Sequence, residues 1–424
     1  PDWSDQGVAA SNGFGYSVAS AGDVNGDGYA DVIVGAPYNS DAGSSTGAVY
    51  VYSFGVSAAV NAWAQQELTG EATSNYFGAS VASAGDVNGD GYVDVIVGSG
   101  CYSSCTGRAY IYHGSSSGIS SSAARTLTGE TTGDWFGYHV ASAGDVNGDG
   151  YADVIVSAHS YDSSDDEGRA YIYHGSSSGI GSSAARTLTG AGTNYYFGDS
   201  VASAGDVNGD GYADVIIGAY GYSTNTGRAY IYHGSSSGIG SSVVTTLTGE
   251  NTADWFGRSV ASAGDVNGDG YADVIVGAYQ NDDGGDGAGE AYVYPGSGTG
   301  VTSTTLWSDQ GEAAGDSFGS SVASAGDVNG DGYADVIVGA RLNEDGGNGA
   351  GEAYVYYGSS SGLSATPDWS DQGEAASDYF GQSVANAGDV NGDGYADVIV
   401  GAYNRAGANG AGSYTGEAYV YHGS

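Results

Sequence analysis

The sequence predicts an all-β protein, a seven-bladed β-propeller of four-stranded antiparallel blades. Three observations predict it. The phrase Asp-Val-Asn-Gly-Asp-Gly-Tyr-Ala-Asp occurs seven times, beginning at Asp23, Asp86, Asp145, Asp206, Asp265, Asp327 and Asp389, with Val93 replacing Ala in the second copy. Each copy begins nine residues after the Phe of a Phe-Gly pair, and Phe14, Phe77, Phe136, Phe197, Phe256, Phe318 and Phe380 recur at intervals of 59 to 63 residues. The opening Pro-Asp-Trp-Ser-Asp-Gln-Gly of residues 1–7 reappears at 367–373, while the last unit ends after its third strand. A fixed period of this length marks a radial repeat architecture. The N-terminal strand then completes the last blade and closes the ring, leaving no open sheet edge. Residues 1–424 read as one such propeller, with 1–13 as outer strand and link and a blade starting near each Phe.

Within a unit four strands follow in order. The first is short and built of small residues, as in Ser17-Val18-Ala19-Ser20, which suits the crowded centre of a propeller. The second runs from the acidic phrase through Tyr29 to Gly35, rich in β-branched residues. The third alternates, as in Ala109-Tyr110-Ile111-Tyr112, putting Tyr on one face and Ile on the other. The fourth is Thr126-Leu127-Thr128 or its variant Leu306-Trp307-Ser308. Gly, Ser, Asn and Asp clusters separate the strands, and no helical period appears. Phe of each Phe-Gly is expected to wedge between neighbouring blades.

Composition narrows the function. Fifty acidic residues stand against eight Arg and no Lys, for a formal charge of −42. Such a field repels phosphate backbones and anionic lipid, so nucleic acid is excluded as a partner. The longest apolar runs are strand-sized, which excludes direct membrane insertion by a helix. The absence of Met predicts an excised or processed segment. Cys101 and Cys105, with no His or Cys nearby, predict a small disulfide and an oxidising compartment.

The repeated phrase carries the chemistry. Its first, third, fifth and ninth positions offer side-chain oxygens, its seventh a backbone carbonyl, and its glycines permit the tight turn. The candidate ligands are Asp23, Asn25, Asp27, Tyr29 and Asp31; Asp86, Asn88, Asp90, Tyr92 and Asp94; Asp145, Asn147, Asp149, Tyr151 and Asp153; Asp206, Asn208, Asp210, Tyr212 and Asp214; Asp265, Asn267, Asp269, Tyr271 and Asp273; Asp327, Asn329, Asp331, Tyr333 and Asp335; and Asp389, Asn391, Asp393, Tyr395 and Asp397. All donors are hard oxygens, and about six at flexible distances favour Ca²⁺ over Zn²⁺ or Mg²⁺. Three carboxylates in nine residues repel one another without a cation. The expected cofactor is therefore up to seven structural Ca²⁺ ions.

The Phe-Gly start, the acidic loop and Gly35-Ala36-Pro37 resemble the FG-GAP repeat of the integrin alpha-subunit propeller and of bacterial and archaeal surface proteins. Only the first copy keeps Pro; others read Gly-Ala-Tyr, Gly-Ala-Arg, Gly-Ser-Gly or Ser-Ala-His. The resemblance spans essentially the whole chain and implies calcium in the loops of an extracellular or cell-surface module.

An up-and-down blade puts the acidic loops on one face with the repetitive turns between strands three and four. Variety gathers on the opposite face: Tyr38, Tyr102, Tyr161, Tyr222, Arg341, Tyr403 and Arg405 in the loops, and Tyr76, Trp135, Tyr196, Trp255 and Tyr379 before Phe-Gly. Aromatics beside acids and amides suit a protein or glycan ligand. His113, His174, His233 and His422 are equivalent by position, whereas His139 and His159 are singular. None stands near an evident nucleophile, so no enzyme is expected. The leading expectation is an adhesion or interaction module; the alternative is a self-assembling subunit of a surface layer, sheath or filament.

Overall fold

A computed structural model describes residues 1–7, 11–55, 64–162, 165–406 and 414–424; residues 8–10 of the expected link lie outside the described residues. The described residues form 28 strands in seven four-stranded antiparallel sheets. Blade one comprises Ser17–Gly22, Asp31–Ala36, Ala48–Ser53 and Ala64–Thr69. In blade seven the outer strand is Trp3–Gln6, which pairs with Glu417–Tyr421 in the register Trp3 to Val420 and Gln6 to Glu417. The predicted closure is present.

Each first strand touches those of the neighbouring blades, and that of blade seven touches that of blade one. Small residues permit this approach. Ser17 Oγ accepts the N–H of Val81 in blade two, and the same bond recurs round the channel, save at blade three where His139 replaces the serine, until Ser383 Oγ accepts from Val18. Second strands are buried along their whole length. Each side of every blade therefore packs against a neighbour, and the hydrophobic core is divided into seven inter-blade clusters. Tyr110 and Tyr112 enter the cluster shared with blade one, while Ile111 enters the one shared with blade three. The seven Phe side chains sit in these clusters, each at most 2% exposed. Phe136 also bridges Gly107 of the preceding blade, where an added Cβ would fall 1.9 Å from Phe136 O.

Three local features differ from the sequence reading. The second strand begins at Asp31 rather than Tyr29, because Tyr29 N–H is held inside the acidic loop by Asp27 Oδ1. The first strand of blades three, six and seven extends back to its Phe, with a register shift inside it. Finally, Tyr102–Cys105 and Tyr222–Asn225 form single helical turns whose central residues are left-handed, Ser103 at φ 51° and Ser223 at φ 49°. Among the described residues no helix is long and apolar enough to cross a membrane.

Candidate metal centres and the opposite face

The acidic loops are folded by their own oxygens. Asp23 Oδ1 accepts the N–H groups of Gly26 and Asp27 at 2.6 and 3.1 Å, and Oδ2 accepts Gly28 N–H at 2.9 Å. Asp27 N–H also reaches Asn25 Oδ1 at 2.8 Å. One nitrogen thus holds the first- and third-position oxygens side by side. The same bonds recur in the other six loops, as at Asp206, Asn208 and Asp210. Asp23 Oδ1 is filled by its two N–H donors, but Asp23 Oδ2, Asn25 Oδ1 and Asp27 Oδ1 each accept one and keep a lone pair. The donor set is entirely hard, so the residues fit a calcium-sized cation.

The ninth position behaves differently. Asp31 is fully buried; its Oδ2 accepts Val24 N–H at 3.0 Å and its Oδ1 accepts Phe54 N–H at 2.9 Å. It ties the loop entrance to the end of strand three, and Asp214 does the same with Val207 and Gly234. Burial pushes the Asp31 carboxyl up to about 7, against the lowering effect of the two N–H donors, and Asp27 and Asp23 add to the rise. A nearby cation would act in the opposite sense.

The loops form a closed circuit. The carbonyl of Asp23 accepts Val93 N–H from the next loop, and that of Asp389 accepts Ala30 N–H, with all seven such bonds between 2.9 and 3.1 Å. Beside each bond the Tyr of one loop covers the fourth-position glycine of the previous one. A Cβ at Gly26 would lie 2.7 Å from Tyr92 Cε1, and the contact runs round to Gly392 against Tyr29. The strand three-to-four turns dock on this face as expected, Ser115 N–H donating to Val24 O at 3.0 Å. His113, His174 and His233 lie beneath glycines of the next blade's turn, a packing role.

The opposite face is an aromatic belt. All five aromatics before Phe-Gly join it. Tyr196 stacks on Tyr220 at 5.1 Å, Tyr220 on Trp255 at 4.8 Å, and Tyr379 on Tyr403 at 5.6 Å. Tyr38 contacts both Tyr76 and Tyr16 at 5.8 Å, and Trp135 meets Tyr138 at 6.4 Å. By contrast Tyr102, Tyr161 and Tyr222 lie under the guanidinium groups of Arg108, Arg169 and Arg228, at 3.7, 3.4 and 3.5 Å. These three serve the strand-three arginines. Cys101 and Cys105 form a disulfide beside the belt.

Sequence reading missed two groupings. Around the channel mouth stand Asp199, Arg258 and His139, with Arg258 Nη1 2.8 Å from Asp199 Oδ2. His139 takes the place that serine holds in the other blades, and burial, then Arg258, lowers its pKa to about 4. Further out, Glu250, Asp283 and Glu290 bring carboxylate oxygens within 4.8 Å of one another from three separate segments. Only the shared position of His139 with the serines was visible in the chain.

Comparison with known proteins agrees with this architecture. The FG-GAP repeat model matches residues 14–52, 197–232, 256–294, 318–356 and 380–421, and an FG-GAP-like repeat model matches 86–156. Integrin alpha-4 of Xenopus laevis is 35% identical over 49% of this chain and 20% of its own length. Integrin alpha-7 of Rattus norvegicus is 40% identical over 35% of this chain and 13% of its own. Integrin alpha-V of Gallus gallus is 34% identical over 52% and 21% respectively. The matched region thus spans about a fifth or less of these curated relatives.

Proposed function

Since this chain is an integrin-like FG-GAP repeat propeller, we propose that it is a calcium-stabilised extracellular adhesion or interaction module. In this reading it engages a protein or glycan through its variable, aromatic face and performs no catalysis. Calcium is held by the first, third, fifth, seventh and ninth residues of each acidic loop, up to seven ions in all. The ions are structural: bound calcium supplies the positive charge that lets clustered carboxylates stay ionised.

One observation carries the proposal: seven loops with the same oxygen-to-N–H wrapping are joined head to tail in a closed circuit. A binding module gains from such a base, because whatever fixes the loops fixes the blades that present the opposite face. Ions that bind the folded loops and not the unfolded chain stabilise by mass action, about 2.7 kcal/mol per site at a hundredfold excess over Kd. Removing calcium with a chelator should lower the melting temperature by on the order of 10–20 °C, and adding it back should restore the value. An unchanged melt in chelator would sink the calcium reading.

A further inference from the structure

We propose that the aromatic face carries a site for a sugar unit bearing one anionic group. It rests on the reading of that face as the interaction surface and adds the ligand's chemistry. The site has two connected parts.

The first is a slot over blade two. Blades one and three carry Tyr16 and Tyr138 immediately after Phe-Gly, whereas blade two carries Ala79, and its Gly-Ser-Gly leaves Gly100 where blade one has Pro37. These small residues open a cavity of about 220 Å³, lined by two contacting aromatic pairs, Tyr38 with Tyr76 and Trp135 with Tyr138. Tyr38 is 37% exposed, the most accessible ring of the belt. Aromatic rings around small residues such as Ala79 and Gly100 suit the apolar face of a single sugar ring.

The second part is the mouth of the central channel, a cavity of about 190 Å³ lined by Arg258, Arg341, His139 and Gln382. It shares Tyr16, Ala79 and Tyr138 with the slot. Arg258 Nη2 lies 3.5 Å from Tyr138 Oη, so a guanidinium stands next to the ring that walls both cavities. Arg341 Nη1 donates to Gln382 Oε1 at 3.3 Å, and its Nε and the Nδ1 of His139 have no hydrogen-bond partner. Two of eight arginines meet here in a chain with 50 acidic residues and no lysine. Asp199 balances Arg258, while the side chain paired with Arg341 is a neutral amide.

The surrounding field limits the ligand. A net charge of −42 disfavours any polyanion, so the local guanidinium groups can hold only an isolated negative group on an otherwise neutral molecule. Planar guanidinium favours carboxylate or sulfate. A ring-sized slot beside that anion site fits a uronic, sialic or sulfated sugar better than an acidic peptide.

The test uses the calcium-loaded chain titrated calorimetrically with four probes: a uronic-acid-terminated oligosaccharide, a sialylated one, a sulfated one and the neutral parent. At least one anionic sugar should bind at least tenfold more tightly than the neutral parent, and the arms identify the anion. Arg341→Gln should abolish that preference while leaving neutral-sugar binding unchanged. Ala79→Tyr installs the residue blades one and three already tolerate, and should close the slot to every sugar. Equal affinity for neutral and anionic probes, full binding by Ala79→Tyr, or preferential binding of an acidic peptide would overturn the inference. If the melt responds to calcium but no sugar binds at millimolar concentration, this inference alone fails. If the melt ignores calcium, the calcium-stabilised module itself fails.

Discussion

At the scale of single residues, the ninth-position aspartates show how much one buried carboxylate can organise. Asp214 takes two backbone N–H groups, from Val207 at 3.0 Å and Gly234 at 2.8 Å, with no exposure of its own. Asp214→Ala should therefore cost about 2–4 kcal/mol by urea denaturation even in chelator, because two buried donors lose their acceptor. A loss confined to calcium-containing buffer would mean that the residue acts only through the ion. That double attachment was hidden in the sequence: the spacing of Asp214 within the phrase marks it as a cation ligand, but Gly234 lies beyond strand three. His139 gives a second residue-scale case. Its folded pKa, about 4, lies below the usual 6.5, with burial as the first cause and Arg258 as the second. The neutral ring is favoured on folding, so its contribution is whole above about pH 6.5 and is lost as pH falls toward 4. His139→Ser installs the side chain that bonds a neighbouring valine in other blades, as Ser80 does to Val140. Relative to the parent it should gain about 1–2 kcal/mol on passing from pH 7.5 to pH 5, allowing for solvent in the channel. Parallel pH profiles for the two proteins would refute the assignment.

At the scale of elements, the first residue of strand three and the link before Phe-Gly face one another, and the blades resolve that meeting differently. Blades two and three pair Arg108 with Glu71 and Arg169 with Glu130. Blade five opposes Glu290 to Glu250, with Asp283 beside them. Blade seven also opposes two acids, Glu417 and Glu374, but Arg405 from the loop after strand two enters between them and reaches Asp378 as well. Asp378 and Glu417 are 2% and 8% exposed, so losing that guanidinium strips two buried carboxylates of their ion-pair partner. Arg405→Gln should destabilise the protein by about 2–3 kcal/mol in a urea titration, and a variant as stable as the parent would show these carboxylates neutral or solvated. Strand identity and order were legible because period-two alternation and turn clusters are local signals. Which side chains meet across a link was not, since register between blades depends on tertiary packing. The same limit applies to the belt: Tyr196 stands out in the chain, but its stacking partner Tyr220 comes from another segment.

At the scale of the whole molecule, closure of the ring is the feature on which the other contacts depend. Seven inter-blade clusters and seven loop-to-loop bonds form a circuit, and a circuit opened at one place loses cooperativity everywhere. The closing piece is small. Trp3 packs on Tyr52 at 4.9 Å and Phe54 at 5.8 Å, Tyr52 Oη donates to Asp5 Oδ2 at 2.8 Å, and Asp2 N–H reaches Val420 O at 2.9 Å. These contacts join blade seven to blade one through a strand that only the duplication of residues 1–7 at 367–373 made recognisable. Deleting residues 1–7 should leave Glu417–Tyr421 as an unpaired edge, lower the melting temperature by more than any single substitution above, and produce oligomers by edge pairing. A synthetic peptide of residues 1–13 added in trans should occupy the edge and return the truncated chain to a monodisperse ring, measured by light scattering and negative-stain microscopy. If the truncated chain melts like the parent and stays monodisperse, the circuit is held by the inner strands alone. If the intact, calcium-loaded chain instead forms ordered polymers, self-assembly rather than ligand capture becomes the use of its outer wall.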